Sequence, residues 1–408
     1  MRLRIVWRNL LAKPLQSLIT TAVVALAVAL TVTLMLLAEG IQQGLTRATE
    51  PFDLIVGAKG SPIQLVLNTV FLQDAPIGNI DHDLVEEIAA KPGVAAAVPV
   101  GFGDNYRGYR IVGASEAIFE QRIAPGRPSW LQIKEGRAFN QPFEAVIGAK
   151  AARDLRLRLG DTFASVHGLT EYEQGETHDQ NRYRVVGILK PLGGPYDQAI
   201  LASLESIWEI HEHHGEKSGS FKREEAAEHD HEHGVTAILV KPRGYGEAMR
   251  LYQQFQSESR AQLVFPAQVI VQFFAMMGQG EQVLQIIAYL VIAMTFFTVA
   301  LTLYLSANGR TRELAILRAI GANSGDISGI ILLEGAVIII VGLAGGLLIG
   351  HGLFWSLATL LQQKTAITIM LAGSWKELYL ALGVSGFGLL ASMVPAAVAY
   401  RFDVARNL

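Results

Sequence analysis

Ten histidines occur in the 408 residues, and six of them fall in two short runs. His211, His213 and His214 stand in His-Glu-His-His-Gly-Glu, and His229, His231 and His233 stand in His-Asp-His-Glu-His. Imidazole is the commonest ligand for borderline divalent metals, and neighbouring carboxylates can complete a tetrahedron. On an extended chain, His-x-His alternation sets both rings on one side. Gly215 and Gly219 loosen the linker, so the two runs can fold back and share one ion. Zn2+ is the ion this donor set favours; nickel and copper fit the same donors, because affinity order alone does not select. The blander reading is a solvated loop that binds metal weakly only because histidines are dense. His351 reads as an interface residue rather than a ligand.

Other chemistry is excluded by what is missing. There is no cysteine, hence no disulfide, thiolate site or cysteine nucleophile. No G-x-x-x-x-G-K-[ST] occurs to cradle ATP phosphates, and neither H-E-x-x-H nor G-x-S-x-G occurs. The chain is therefore not expected to be an enzyme or to bind a cofactor for catalysis. Net charge −3 and a pI near 6.4 leave no basic footprint for nucleic acid.

Half the residues are hydrophobic, only 17% are charged, and the mean hydropathy is +0.31. The apolar excess comes in blocks, the pattern of a membrane protein with a sizeable watery domain. Arg2, Arg4, Arg8 and Lys13 with Leu3, Trp7, Leu10 and Leu11 make residues 1–14 a basic amphipathic helix at the cytoplasmic face. A run of about 23 uncharged residues follows, enough to cross ~30 Å of hydrocarbon and too long for a cleaved signal region, so 15–38 is a first span. Residues 39–280 are the watery domain. Strand and helix patterns over 52–58, 81–90, 94–100 and 106–112 give a small α+β layer. A β-rich insert occupies about 114–234, with the histidine-rich loop at 209–234, and a strand at 235–241 and a helix at 245–257 rejoin the first layer. Further spans occupy 281–306, 327–361 and 378–400. The third is longer than one crossing needs, so its end past Gly350 is expected to lie along the outer surface. Residues 307–326 and 362–377 are loops and 401–408 a tail. The 1–14 arm, the 307–326 loop and the tail are the basic segments, which puts them inside and 39–280 outside.

Glu334 lies about seven residues into the third span, roughly 10 Å deep at 1.5 Å per residue. An ionisable group there is a functional candidate by default; bonding to a neighbouring helix is the structural alternative, and the favoured one.

The most informative stretch is 309–322, Gly-Arg-Thr-Arg-Glu-Leu-Ala-Ile-Leu-Arg-Ala-Ile-Gly-Ala. Leu314, Leu317 and Ile320 recur at helical spacing, and Gly321 sits where a helix C-terminus takes a glycine. By charge and period it is an amphipathic surface helix, either a topology anchor or a docking helix. Its residue order, continued by Ile327 and Leu333-Glu334-Gly335, resembles MacB/FtsX-type ABC transporter permeases. Three other stretches resemble the same family. They are Trp7-Arg8-Asn9-Leu10 with Pro14; the order Trp130, Gly136, Phe139, Ala145-Val146-Ile147-Gly148, Leu159-Gly160-Asp161, Val185-Val186-Gly187-Ile188-Leu189 and Asp197; and the closing 394–405.

The resemblance implies a four-span α-helical membrane protein with a large extracytoplasmic α+β domain between the first and second spans. It implies a multi-pass place in the bacterial inner membrane with the domain on the periplasmic side, in contact with membrane lipid. Partners would be a second permease copy, a separate cytoplasmic ABC ATPase, and a periplasmic protein or cargo. The ATPase would meet Arg310, Arg312, Glu313, Leu314, Leu317, Arg318 and Gly321, so that ATP hydrolysis moves the external domain to export or extract cargo. The histidine loop is not part of the family pattern and points to a metal-linked task. A second hypothesis from another class is a membrane-anchored zinc sensor or buffer without transport, which would have no use for a coupling helix.

Overall fold

In a computed structural model of the protein the described residues are 2–168, 177–215, 234–309, 316, 321–365, 367–369 and 375–400. Helices α1 (Arg2–Ala12) and α2 (Pro14–Thr49) come first, then β1 (Leu54–Gly57), α3 (Pro62–Thr69), β2 (Ile80–Asp81) and α4 (Asp83–Ala89). Next are β3 (Val94–Tyr106), β4 (Tyr109–Ala114), β5 (Ile133–Gly136), β6 (Glu144–Ile147), α5 (Ala149–Leu155), β7 (Thr162–His167) and β8 (Thr177–Leu189). After β9 (Ile200–Ser203) and α6 (Leu204–Gly215) follow β10 (Gly234–Val235), β11 (Ala237–Pro242), α7 (Tyr245–Phe255) and β12 (Gln262–Val264). The chain closes with α8 (Pro266–Asn308), α9 (Ser324–Thr365) and α10 (Trp375–Tyr400). These elements form two compact units. One is Met1–Ile41, Met277–Leu360 and Ile369–Leu408; the other is Gln42–Met276 with Leu361–Thr368.

In the first unit, α2, α8, α9 and α10 each carry a stretch long and apolar enough to cross a membrane. The third of these corrects an expectation. The chain does not turn to lie along the surface past Gly350 but continues as one helix to Thr365. Nothing in Leu353–Gln363 would break it: there is no proline, and leucine, alanine and glutamine are good helix formers.

Helix packing in this unit rests on backbone proximity. Gly342, Gly346 and Gly350 recur every four residues on α9, and all three face α2. A Cβ on Gly346 would stand 2.6 Å from Val28 Cβ and 2.7 Å from the Ala25 carbonyl oxygen. Lipid is as apolar as leucine, so spans associate through such close contact, for which small residues are required. Thr33 Oγ1 adds a hydrogen bond at the same seam, 2.7 Å from Ala29 O and 3.1 Å from Gly350 O. Two polar contacts tie the start of α10 to its neighbours: Glu377 Oε2 lies 3.3 Å from His351 Nε2 of α9, and Lys376 Nζ 3.8 Å from Glu39 Oε2 of α2.

The second unit is built on one ten-stranded sheet. Its open part runs β12–β1–β11–β3, antiparallel throughout. Its other part is a closed ring, in which β3 pairs β4, β4 pairs β9, β9 pairs β6, β6 pairs β8, β8 pairs β7, and β7 returns to β3. Closure removes the exposed edges that an open sheet would leave. β11 comes after the ring in sequence yet pairs both β1 and β3, so it returns the chain to the open layer. Both faces are packed. Val98, Val100, Val112 and Leu201 enter one core, and Ile111, Ile147, Tyr183 and Ile200 enter the other.

The first hairpin differs from the sequence reading. β3 does not stop near Val100 but runs to Tyr106, and the turn is Arg107–Gly108, with φ of 51° and 79°. A two-residue turn with both φ positive matches the twist of its strands. Arg107 in place of the usual asparagine hides it from a sequence reader.

The glycine seam makes a sharp prediction for thermal unfolding in detergent. Gly346→Val should overpack the α2–α9 contact at a cost of ~1–3 kcal/mol and lower the midpoint. Gly352→Ala, where a Cβ meets nothing within 4 Å, should leave it unchanged or raise it.

Candidate functional site

Most of the 309–321 stretch lies outside the described residues: Arg310, Arg312, Glu313, Leu314, Leu317 and Arg318 are among these. Ile316 is helical and exposed, and Gly321 has φ of 108°, a left-handed conformation that L side chains rarely adopt. Beyond it, the Asn323 amide donates to Asp326 Oδ2 at 3.1 Å, the reciprocal half of a capping box at the start of α9. The segment between α8 and α9 therefore ends in a defined glycine turn and helix cap.

Glu334 is buried, and the Asn9 carboxamide donates to its Oε1 at 2.6 Å. The acid in the third span thus bonds the amphipathic α1, so its role includes holding two helices of the first unit together. Gln16 and Thr302 join α2 to α8 near by, through Nε2 to a carbonyl oxygen at 3.2 Å.

The histidine segment is only partly described. Residues 211–215 are the last turn of α6, which continues the spacing of the buried Leu204, Ile207 and Ile210. The extended backbone expected over 211–213 is therefore corrected: it is helical. His229, His231 and His233 lie outside the described residues.

The extracytoplasmic unit shows what several of the signature residues do. Trp130 packs edge-on against Phe52 and Tyr196, with ring centroids 5.0 and 4.9 Å away. Tyr196 is fully buried, and its hydroxyl donates to Thr69 O at 3.0 Å; burial pushes its pKa up. A Cβ on Gly148 would stand 2.5 Å from the carbonyl oxygens of Tyr196 and Asp197, which explains a glycine there. Asp197 Oδ1 and Oδ2 accept from the Leu192 and Gly193 amides, each at 2.8 Å. Burial pushes the Asp197 carboxyl up, against the opposing pull of these amide bonds. The turn so shaped is used: the Thr368 amide donates to Gly193 O at 3.2 Å, and Ile367 packs on the same core as Leu192. Gly44 of α2 lies against this pair, where a Cβ would meet Ile367 Cγ2 at 2.7 Å. Part of the loop between the third and fourth spans is thus built into the external domain, which the sequence does not reveal.

Sequence reasoning also missed a donor cluster in the ring. Asp104 of β3, His167 at the end of β7 and His178 near the start of β8 each offer one ligand atom, all within 4.8 Å of one another. Asp104 pairs with His167 across β3 and β7, and β7 lies between β3 and β8. Register shifts between Phe102 and Asn105 and between Ala164 and Val166 re-aim the strands here, as bulges do. The available signal was two histidines eleven residues apart flanking a turn-like segment; Asp104, over sixty residues away, had none.

Four apolar membrane-length helices, with an α+β domain between the first and second, define a multi-pass membrane protein carrying one large extracytoplasmic domain. Residues 17–244 match the family described as MacB-like periplasmic core domain, and residues 285–404 match the FtsX-like permease C-terminal family. The chain belongs to the MacB/FtsX-type ABC transporter permeases. Among curated proteins, none matches. Among solved structures, the periplasmic region of MacB from Actinobacillus actinomycetemcomitans is 11% identical with a TM-score of 0.34, over 55% of this chain and 94% of that one. The extracellular domain of the noncanonic ABC-type transporter YknZ from Gram-positive bacteria is 13% identical with a TM-score of 0.30, over 52% and 98%.

The Asp197 turn can be tested by hydrogen exchange on the full chain. Asp197→Ala leaves two turn amides without their acceptor, at a cost of ~1–3 kcal/mol, and should speed exchange at 192–194 and at Thr368. Asp197→Asn, which keeps one acceptor oxygen, should fall between. Unchanged exchange at Thr368 would show that the turn does not hold the 367–369 segment.

Proposed function

We propose that this chain is the permease subunit of an inner-membrane ABC system whose separate cytoplasmic ATPase drives movement of the extracytoplasmic domain, exporting or extracting cargo on the outer side. The observation that carries the reading is family membership across both halves, 17–244 and 285–404. An ABC ATPase partner follows from that membership. The 309–321 stretch is its docking helix, with Arg310, Arg312, Glu313, Leu314, Leu317 and Arg318 making contact and Gly321 ending the helix. Helices α2, α8 and α9 contribute residues to both compact units, and Leu361–Thr368 adds a strap from the third and fourth spans to the external domain. The working form is a dimer with a second permease copy in contact with lipid, and the cargo or a periplasmic partner meets the external domain. The histidine segment, His211, His213 and His214 with His229, His231 and His233, collects Zn2+ and links the transport task to metal.

The docking role is tested by Arg318→Glu combined with Leu317→Asp. Loss of a central contact typically costs ≥2 kcal/mol, so affinity for the ATPase should fall by about 30-fold or more while the permease still inserts. Co-purification and ATPase stimulation would read this directly. Unchanged binding and stimulation would return the stretch to a topology anchor.

A further inference from the structure

We propose that Asp104, His167 and His178 form a binding site for a borderline divalent metal ion of the zinc class, with one coordination position left open to solvent. Its three residues are distinct from those of the histidine segment, and it does not depend on the transport reading.

Spacing is the first argument. Asp104 Oδ1 lies 3.7 Å from His167 Nδ1 and 3.8 Å from His178 Nε2. A direct N–H···O bond spans ~2.7–3.2 Å, so neither pair is at hydrogen-bond distance. Zinc with ligand bonds of ~2.0–2.2 Å sets neighbouring donors at the corners of a tetrahedron whose edges are ~3.3–3.5 Å. These two separations exceed such an edge by a few tenths of an ångström, and all three donor atoms lie within 4.8 Å of one another. The ring centroids of His167 and His178 stand 6.4 Å apart with planes at 87°. His167, with 58% of its side chain exposed, can close the gap by rotating, whereas Asp104 and His178 are buried. The exposed ring is therefore the moving ligand and marks the way in.

Support around the donors is the second argument. Ser165 Oγ donates to Asp104 Oδ2 at 2.9 Å, which leaves Oδ1 turned toward the imidazoles. Such outer partners orient a ligating carboxylate and are as much a part of a metal site as the ligands. The end of β7 is pinned as well: Gly168 N donates to Gly103 O at 3.0 Å, and Asn105 Nδ2 donates to Gly168 O at 2.9 Å. Tyr183 is buried near by. Burial first, and the charge of Asp104 second, push its pKa well up.

Donor chemistry selects the ion. Two imidazoles and one carboxylate suit zinc, copper or nickel, and a single oxygen does not suit calcium or magnesium. Three protein ligands leave a fourth position for water or an incoming group, the pattern of exchangeable sites rather than closed structural ones. A bound ion would cross-link β3, β7 and β8 at one end of the ring.

The competing account is an ion pair between Asp104 and protonated histidines. It has the opposite pH dependence. Metal binding needs neutral imidazoles and fades as pH falls through the ordinary histidine range near ~6.5, whereas the ion pair strengthens there.

The experiment uses the full chain, purified without a polyhistidine tag, with the six clustered histidines changed to alanine. Of the four histidines then left, His82, His167, His178 and His351, only 167 and 178 share a donor cluster among the described residues. Titration with Zn2+ alone at neutral pH should show one bound equivalent, and Co2+ should give the visible absorption of low-symmetry N/O coordination. Affinity should fall about tenfold or more per pH unit below the histidine range, since two protons compete. Changing an outer partner alone costs ~10–100-fold, so His167→Ala should cost at least about 100-fold. That residue is exposed, so the variant keeps its fold, checked by an unchanged unfolding midpoint without metal. His178→Ala should behave alike if it folds. Absence of the bound equivalent in the six-alanine chain, or an affinity unmoved by His167→Ala, would overturn the proposal. The difference in equivalents between the native and six-alanine chains separately reads the histidine segment.

Discussion

The external domain depends on one strand being shared. β3 is thirteen residues long. Residues Val94–Val100 pair with β11 in the open layer, and from Val100 onward the strand pairs with β4 and then β7 in the closed ring. The handover is reinforced at Thr236, whose amide donates to Val100 O at 2.9 Å while its hydroxyl accepts from Phe102 N at 3.2 Å. Layer and ring are thereby one hydrogen-bonded system, and a displacement of either is felt by the other. A domain made of two separately closed pieces could absorb a push in its linker; this one has no such slack along β3.

The membrane unit is stabilised on different terms. Lipid offers no hydrophobic drive between helices, so contact quality and a few polar bonds decide which helices pair. Here the contact is the Gly342–Gly346–Gly350 seam of α9 against α2, and the polar bonds are Asn9–Glu334, Gln16–Thr302 and Ser328–Ala396. Such bonds are individually worth ~0.6–1.7 kcal/mol in a bilayer. Each is weak alone, and together they decide which helices meet.

The loop between the third and fourth spans changes the view of what the external domain contains. Ile367 and Thr368 are held by the Asp197-shaped turn and by Gly44, so signature residues far apart in sequence converge on one anchoring point. The buried Phe52 and Tyr196 lie in the same core, with the partly buried Trp130 packed against them. Donors at the bulges of β3 and β8 lie in the ring instead, on strands that β3 ties to the rest.

Much was legible in the sequence because the physics involved is local or periodic. Span number follows from runs of uncharged residues measured against bilayer thickness, orientation from arginine placement, and the family from residue order in the 309–322 and 130–197 stretches. The glycine seam was also there to be read, as a four-residue repeat. Other features required the fold. A bulge has no residue signature, so the extension of β3, the Arg107–Gly108 turn and the aim of Asp104 and His178 could not be foreseen. That Leu361–Thr368 belongs to the external domain depends on pairing with Gly193, over 170 residues earlier. Sequence determined what was periodic along the chain; tertiary structure alone decided which distant residues meet, because such contacts depend on strand register and backbone approach, and neither is written at any one position.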